Sequence, residues 1–173
     1  MYILGELEWP PVVLYKDLLY SFKLMLCPKH RLINMKDIEN IKKIEKKAYP
    51  ENFNLYGKVK SIKDFKRKFA CFNRSQIDYY LEDDFYAIFI LHHNCVHLAD
   101  MACYKNPYSV LKVINIIYEK YRKMYTYGYL VAREATSYRL IKAYEKKGKI
   151  KVMSDECDEY EGETVHRLVI TAD

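Results

Sequence analysis

Three groups of side chains have the types and spacing for chemistry. His92, His93, Cys95 and His97, with Cys103 further on, look at first like metal ligands. Zinc is usually held by one pair of ligands roughly two to four residues apart and by a second, distant pair. On a strand Cys95 and His97 share a face, whereas His92 and His93 flank a turn, and no second pair follows, so the pattern reads as no metal site. The thiols of Cys95 and Cys103 stand in apolar stretches, where a cysteine normally packs and is not a nucleophile. The third group is basic. Lys36 to Phe69 carries eleven Lys or Arg against five Asp or Glu, and aromatics that could stack on bases (Tyr49, Phe53, Tyr56, Phe65) are interleaved. An anionic partner, nucleic acid or the phosphates of a cofactor, competes there with the plainer reading of a solvated helical face. The other end is acidic: Ser154 to Asp173 holds seven acids and one Arg.

These groups sit in a chain of 173 residues, half of them hydrophobic, which fits one domain with a full core and excludes disorder. Five cysteines, at 27, 71, 95, 103 and 157, are odd in number and lack redox or zinc spacing. That favours reduced thiols and a cytoplasmic protein. The first residues lack a basic flank, and Glu6 and Glu8 interrupt any signal-like apolar run. No charge-free apolar run reaches about 18 residues, so no membrane span is expected.

The elements that must position the site follow from periodicity. Trp9-Pro10-Pro11 marks a turn or extended piece, and Val12 to Cys27 is apolar on most sides. It reads as a buried helix or a strand pair, or as an arm that packs on a partner; residues 1–30 are expected as an extension packed on a domain spanning 31–173. His30 to Asn34 reads as a short strand. Met35 to Ala48 reads as a helix, with Ile38, Ile41, Ile44 and Ala48 on one stripe and Pro50 ending it. After a loop, Ile62 to Phe72 reads as a second helix with Phe65, Phe69 and Phe72 on one side. Strands are expected at Gln76 to Leu81, Phe85 to Leu91 and Cys95 to Cys103, the second buried on both faces. Pro107 opens a helix to about Met124. A strand from Tyr127 to Ala132 leads into a helix over Arg133 to Gly148, where Tyr138 and Ile141, then Leu140 and Tyr144, keep helical spacing. Thr136 or Ser137 is its expected cap. A short strand at Ile150 to Met153, an acidic loop and a strand at Thr164 to Thr171 complete the chain.

The last strand–helix–strand unit, with Tyr144 four residues before Gly148, resembles the acetyl-CoA-facing helix of the GNAT N-acetyltransferases. That family usually shows Asn, Ala, Tyr and Gly where this chain has Ser137, Leu140, Tyr144 and Gly148. The stretch IEKKAYPE, from Ile44, is similar to the end of the family's first helix. The order of elements from Arg31 onward is also the family's. The resemblance implies an α/β fold with a mixed, mostly antiparallel central sheet flanked by helices. In it, Tyr127 to Ala132 should run parallel to Cys95 to Met101.

It also implies transfer of an acetyl group from acetyl-CoA to an amine of a protein or small molecule. Tyr144 is then the proton donor to the leaving thiolate, and Glu134, with Asp100 second, the base for the acceptor amine. Asp100 to Cys103, including Met101, would hold the acetyl carbonyl through the backbone. The implied cofactor contacts further along are Cys103, Lys105, Asn106, Tyr108, Ser109 and Ser137. In the family, glycines in this loop bring backbone N–H groups to a pyrophosphate at a helix start. The junction MACYKNPYSVLK has none: Cys103, Asn106 and Tyr108 stand where a basic or amide residue and two glycines are expected. The alternative is therefore a catalytically degenerate module on the same fold, binding a protein or nucleic-acid partner.

Overall fold

A computed structural model describes residues 32–49, 55–69, 76–106, 108–160 and 162–171. The expectations for residues 1–30, and for Phe53 and Phe72, lie outside them. Helix α1 (Met35–Ala48) begins at a reciprocal cap. Asn34 Oδ1 accepts from the Asp37 N–H at 3.0 Å, and Asp37 Oδ2 accepts from the Asn34 N–H at 3.1 Å. Two otherwise unpaired donors are satisfied at once. Asn34 is thus a cap and not the end of a strand, and residues 32–34 form no strand. Helix α2 (Ile62–Arg67) is capped by Ser61, whose Oγ accepts from the Asp64 N–H at 3.1 Å. The helix is shorter than the expected Ile62 to Phe72, although Phe65 and Phe69 are both buried.

Six strands form one sheet: β1 (Gln76–Leu81), β2 (Phe85–His92), β3 (Cys95–Cys103), β4 (Tyr127–Arg133), β5 (Lys151–Tyr160) and β6 (Glu163–Thr171). Their order is β1-β2-β3-β4-β6-β5. Every neighbouring pair is antiparallel except β3 and β4, which run parallel as expected. Helix α3 (Ser109–Ile116) lies between those two strands in sequence, as a parallel connection requires. It widens into a π-helical turn over Ile117–Tyr121.

The continuous apolar run of β2 has a direct cause. Tyr86, Ile88 and Ile90 pack with Ile38, Ile41, Tyr56 and Phe65 in one cluster. Phe85, Ala87, Phe89 and Leu91 pack with Val113, Ile114, Ile141 and Leu168 in another. A strand between two helical layers has no solvent face to make polar.

The unit after β4 departs from expectation at both ends. Glu134–Tyr138 is a five-residue π-helical turn, and the regular helix α4 is Arg139–Lys146. Neither Thr136 nor Ser137 caps a helix start: Ser137 Oγ reaches back and accepts from the Arg133 N–H at 3.0 Å, pinning the turn to the end of β4. Strand β5 runs on through the acidic residues to Tyr160 instead of stopping at Met153. It is an edge strand paired along its length with β6, and Asp155, Glu156, Asp158 and Glu159 are exposed on it. Charge on an edge strand keeps its open N–H and C=O row from pairing with other chains. Among the described residues no helix is long and apolar enough to cross a membrane.

Candidate active site

Strands β3 and β4 pair over three residues only, from Cys95 with Tyr127 to His97 with Tyr129. Beyond that, β3 continues to Cys103 and β4 to Arg133 with no registered pair between them. Gly128 sits at the zipped end, where a Cβ would meet Ile170 Cγ1 at 3.0 Å and Ile117 Cγ2 at 3.2 Å. A side chain there would press on both, so glycine suits the close approach of β4 to β6 and to the wide turn after α3.

Where the strands part, β3 carries a bulge. Phe89 faces Leu98 and Ile88 faces Asp100, so Ala99 is left without a partner on β2. In an unbroken strand Leu98 and Asp100 would share a face, because side chains alternate with period two. The extra residue turns Asp100 to the face of Ile88, under α1 and α2, while Leu98 stays with the α3 cluster.

Two phenols meet Asp100 there. Tyr56 Oη donates to Asp100 Oδ2 at 2.6 Å and Tyr86 Oη donates to the same oxygen at 2.9 Å. Burial pushes the Asp100 carboxyl above the usual carboxylate range, and the phenol hydrogen bonds, with one from the Met101 N–H, partly offset this. Burial also drives both tyrosines far above the ordinary phenol value, with the Asp100 charge adding to it. Both phenols therefore stay protonated and can only donate to the carboxylate.

The loop bearing Tyr56 is held by a second carboxylate. Glu45, on α1 and 2 % exposed, accepts from the Leu55 N–H at 2.7 Å through Oε1 and from the Tyr56 N–H at 3.2 Å through Oε2. Its pKa is raised, first by burial and also by the Asp100 charge, against the pull of those two N–H groups. Lys68 adds a cation 5.9 Å from the centre of the Tyr56 ring.

The other expected site residues are spread over the cleft and its far face. Tyr144 is half-buried on α4, and its hydroxyl donates to Asn115 Oδ1 on α3 at 3.2 Å. Glu134 is exposed in the wide turn after β4. No hydrogen bond joins Tyr144, Glu134 and Asp100; of the three, only Asp100, itself half-buried, meets buried polar side chains. Met101 is half-buried opposite Ala87 on β2. Past β3, Cys103 Sγ accepts from the Asn106 N–H at 3.3 Å, and Asn106 Oδ1 accepts from the Tyr108 N–H at 2.8 Å. These contacts build the glycine-free turn. Lys105 is exposed, with its ammonium 5.6 Å from the Tyr104 ring centre. Ser109 opens α3 with its N–H on the Asn106 carbonyl at 3.3 Å. That helix start has no side-chain cap, and the Tyr108 residue beside it is 58 % exposed. Ser137 is occupied by the Arg133 N–H.

Nothing in the local sequence marks Tyr56, Tyr86 or Glu45 as partners of a functional carboxylate. Tyr56 and Phe65, which their place in the basic segment offers for base stacking, are fully buried and cannot present a ring to a nucleic acid. Of that group only Tyr49 is exposed among the described residues. His97 lies edge-on to Tyr129 at 4.7 Å, and burial lowers its pKa to about 4. Burial lifts the Cys95 thiol to about 12, which makes it a poor nucleophile.

No protein-family model and no curated protein sequence matches the chain. Solved structures do. The ribosomal-protein-S18-alanine N-acetyltransferase from Escherichia coli is similar at a TM-score of 0.54 and 14% identity, over 83% of this chain and 92% of that one. Spermidine N-acetyltransferase from Vibrio cholerae, solved with CoA and spermine, is similar at a TM-score of 0.53 and 12% identity, over 82% of this chain and 94% of that one. The chain therefore has the GNAT fold, with 14% identity or less to these two structures.

Proposed function

We propose that this protein is an acetyl-CoA-dependent N-acetyltransferase that uses Asp100 as the base for an acceptor amine. The observation carrying the proposal is the half-buried Asp100 carboxylate, turned by the Ala99 bulge onto two phenols where β3 and β4 part. The fold alone supports no activity, since one fold hosts many functions.

The residues present fit acetyl-CoA. The β3 edge from Leu98 to Cys103 has no β4 partner, so its backbone is available for an extended ligand. The α3 start has no side-chain cap, and the neighbouring Tyr108 is largely solvent-exposed. The helix dipole there favours phosphate, although the Tyr108, Ser109 and Leu111 N–H groups already have acceptors in Asn106 and Tyr108. When bound, acetyl-CoA supplies an activated acyl group as a thioester.

In this reading Met101 to Cys103 orient the acyl carbonyl through the β3 backbone. Asp100 takes a proton from the acceptor ammonium, since its raised pKa leaves it a better proton acceptor than an exposed aspartate. Tyr56 and Tyr86 hold the carboxylate in place and stabilise its charge. Tyr144 is the proposed proton donor, its phenol positioned by Asn115. Glu134, exposed and away from any such network, ranks below Asp100. The acceptor is an amine on a protein or small molecule. The neighbours' activities, on a ribosomal protein and on spermidine, bear on this chain only as examples of that class.

Isothermal titration with acetyl-CoA, followed by a thiol-release assay on a panel of amines, tests the proposal. Saturable binding with turnover that Asp100→Asn removes is expected. Absence of acetyl-CoA binding would overturn the proposal and leave a degenerate module on the same fold.

A further inference from the structure

A cluster of polar side chains on β5 and β6 takes no part in the Asp100 cleft. His166, on β6 and 9 % exposed, stands opposite Ala132 of β4. Asp155 Oδ1 of β5 lies 2.7 Å from its Nδ1, which must donate, since a carboxylate only accepts. The Tyr138 ring lies flat on the imidazole, with 3.6 Å between centres and 9° between planes. Its hydroxyl donates to Asp155 Oδ2 at 2.7 Å, a bond that pushes the phenol up to about 12 and keeps it a donor. The other ring nitrogen of His166, Nε2, is buried and has no hydrogen-bond partner among the described residues. A buried acceptor without a donor weakens the arrangement that encloses it.

What encloses it is lightly held. Tyr138 ends the π-helical turn Glu134–Tyr138, which buries none of its residues and starts without a side-chain cap. Ser137 Oγ, on the Arg133 N–H, and Tyr138 tie it down. The chain on either side is firm. Ala132 and Ile141 are buried, and Glu145 Oε1 of α4 accepts from the Val152 N–H of β5 at 3.0 Å. Segments with few buried apolar contacts open locally, far more readily than the whole fold unfolds. The five residues can therefore lift while β4 and α4 stay in place. Lifting takes Tyr138 off the imidazole and lets water reach Nε2. The turn follows directly on the stretch of β4 that has no β3 partner, so its lifting widens the mouth of the cleft.

We infer that Glu134–Tyr138 is a strap that opens locally at the mouth of the β3–β4 cleft, with Tyr138 as its latch on the Asp155–His166 pair. The inference does not depend on acetyl transfer. It rests on the unpartnered Nε2, the aromatic latch above it and the firm chain at both ends of the turn.

The test uses diethyl pyrocarbonate, which acylates unprotonated imidazole nitrogens, on the full-length protein, with His166 read by peptide mass spectrometry. Amide exchange at Leu130 and Leu168, both fully buried, reports global unfolding in parallel. His166 should be modified without denaturant, at a rate that changes little with urea below the unfolding transition. Exchange at the two leucines should accelerate over the same range, because only global unfolding exposes much new surface. Tyr138→Phe keeps the ring and loses the bond to Asp155. It should speed modification of His166 about tenfold, as expected for a lost hydrogen bond to a charged group. The Arg133 amide, freed from Ser137 Oγ when the strap lifts, should exchange faster by a similar factor. Modification of His166 that rises with urea in step with the leucine amides would overturn the inference. So would no modification without urea, or unchanged rates in Tyr138→Phe.

Discussion

Tyr56 and Asp100 are 44 residues apart in sequence and share a hydrogen bond of 2.6 Å. Each arrives there by a separate device. Glu45 holds the backbone of Leu55 and Tyr56, and the bulge at Ala99 turns Asp100 toward them. The pair joins the α1–α2 layer to the strand that borders the open cleft.

Asp100→Asn keeps the shape of the side chain and removes the base. Turnover in an acetyl-transfer assay should fall about 10²–10⁴-fold, the usual worth of general base help. Circular dichroism should show the fold retained. Full activity in this variant would move the base elsewhere.

Tyr56→Phe removes a hydrogen bond that lowers the Asp100 pKa, so the carboxyl should become harder to ionise. The acid limb of the profile of kcat/KM against pH should therefore move upward. A limb that stays in place would detach Asp100 from the rate.

The same group links stability to pH. The folded pKa of Asp100 lies above its ordinary value of 3.8, so its contribution is complete below that pH, where both states are protonated. As pH rises the unfolded chain releases its proton first, and the contribution is lost through the folded pKa. Urea midpoints of wild type measured from pH 3 upward should fall, relative to those of Asp100→Asn, across that window. Parallel curves for the two proteins would refute the raised pKa.

Glu45→Ala leaves the Leu55 and Tyr56 N–H groups without their acceptor. Each buried unsatisfied donor costs about 1–3 kcal/mol, and the loss should appear in urea denaturation. Glu45→Gln should recover part of it, because its amide oxygen accepts one of the two bonds. Amide exchange at Leu55 and Tyr56 should speed up more in the alanine variant than in the glutamine variant.

The expectation for Tyr144 differs in kind. Tyr144→Phe loses only a part-exposed hydrogen bond to Asn115, so stability should change by about 1 kcal/mol or less. If the phenol donates a proton to the leaving group, turnover should still drop at least tenfold. Unchanged turnover would return Tyr144 to a packing role.

The order of elements was legible in the sequence because each rests on local periodicity. Ile38, Ile41 and Ile44 recur at helical spacing, and Phe85 to Leu91 is apolar on both faces. The parallel β3–β4 pair followed from the resemblance that this order and the Tyr144–Gly148 spacing carried. Asp100 is legible as a carboxylate on β3, but nothing local to it tells it apart from Glu134 at the end of β4. A one-residue slip opposite Ile88 leaves no mark in a period-two pattern, yet it decides which layer Asp100 faces. The role of Tyr56 was equally hidden, since a tyrosine among lysines looks the same whether its ring meets solvent or Phe65 and Tyr86. Strand β5 outran its apolar signal because pairing with β6, not side-chain hydrophobicity, keeps Asp155 to Tyr160 extended. Local spacing thus determined what each segment becomes. Register, burial and the meeting of Asp100 with its two phenols depend on contacts between distant segments, and only the tertiary structure decided those.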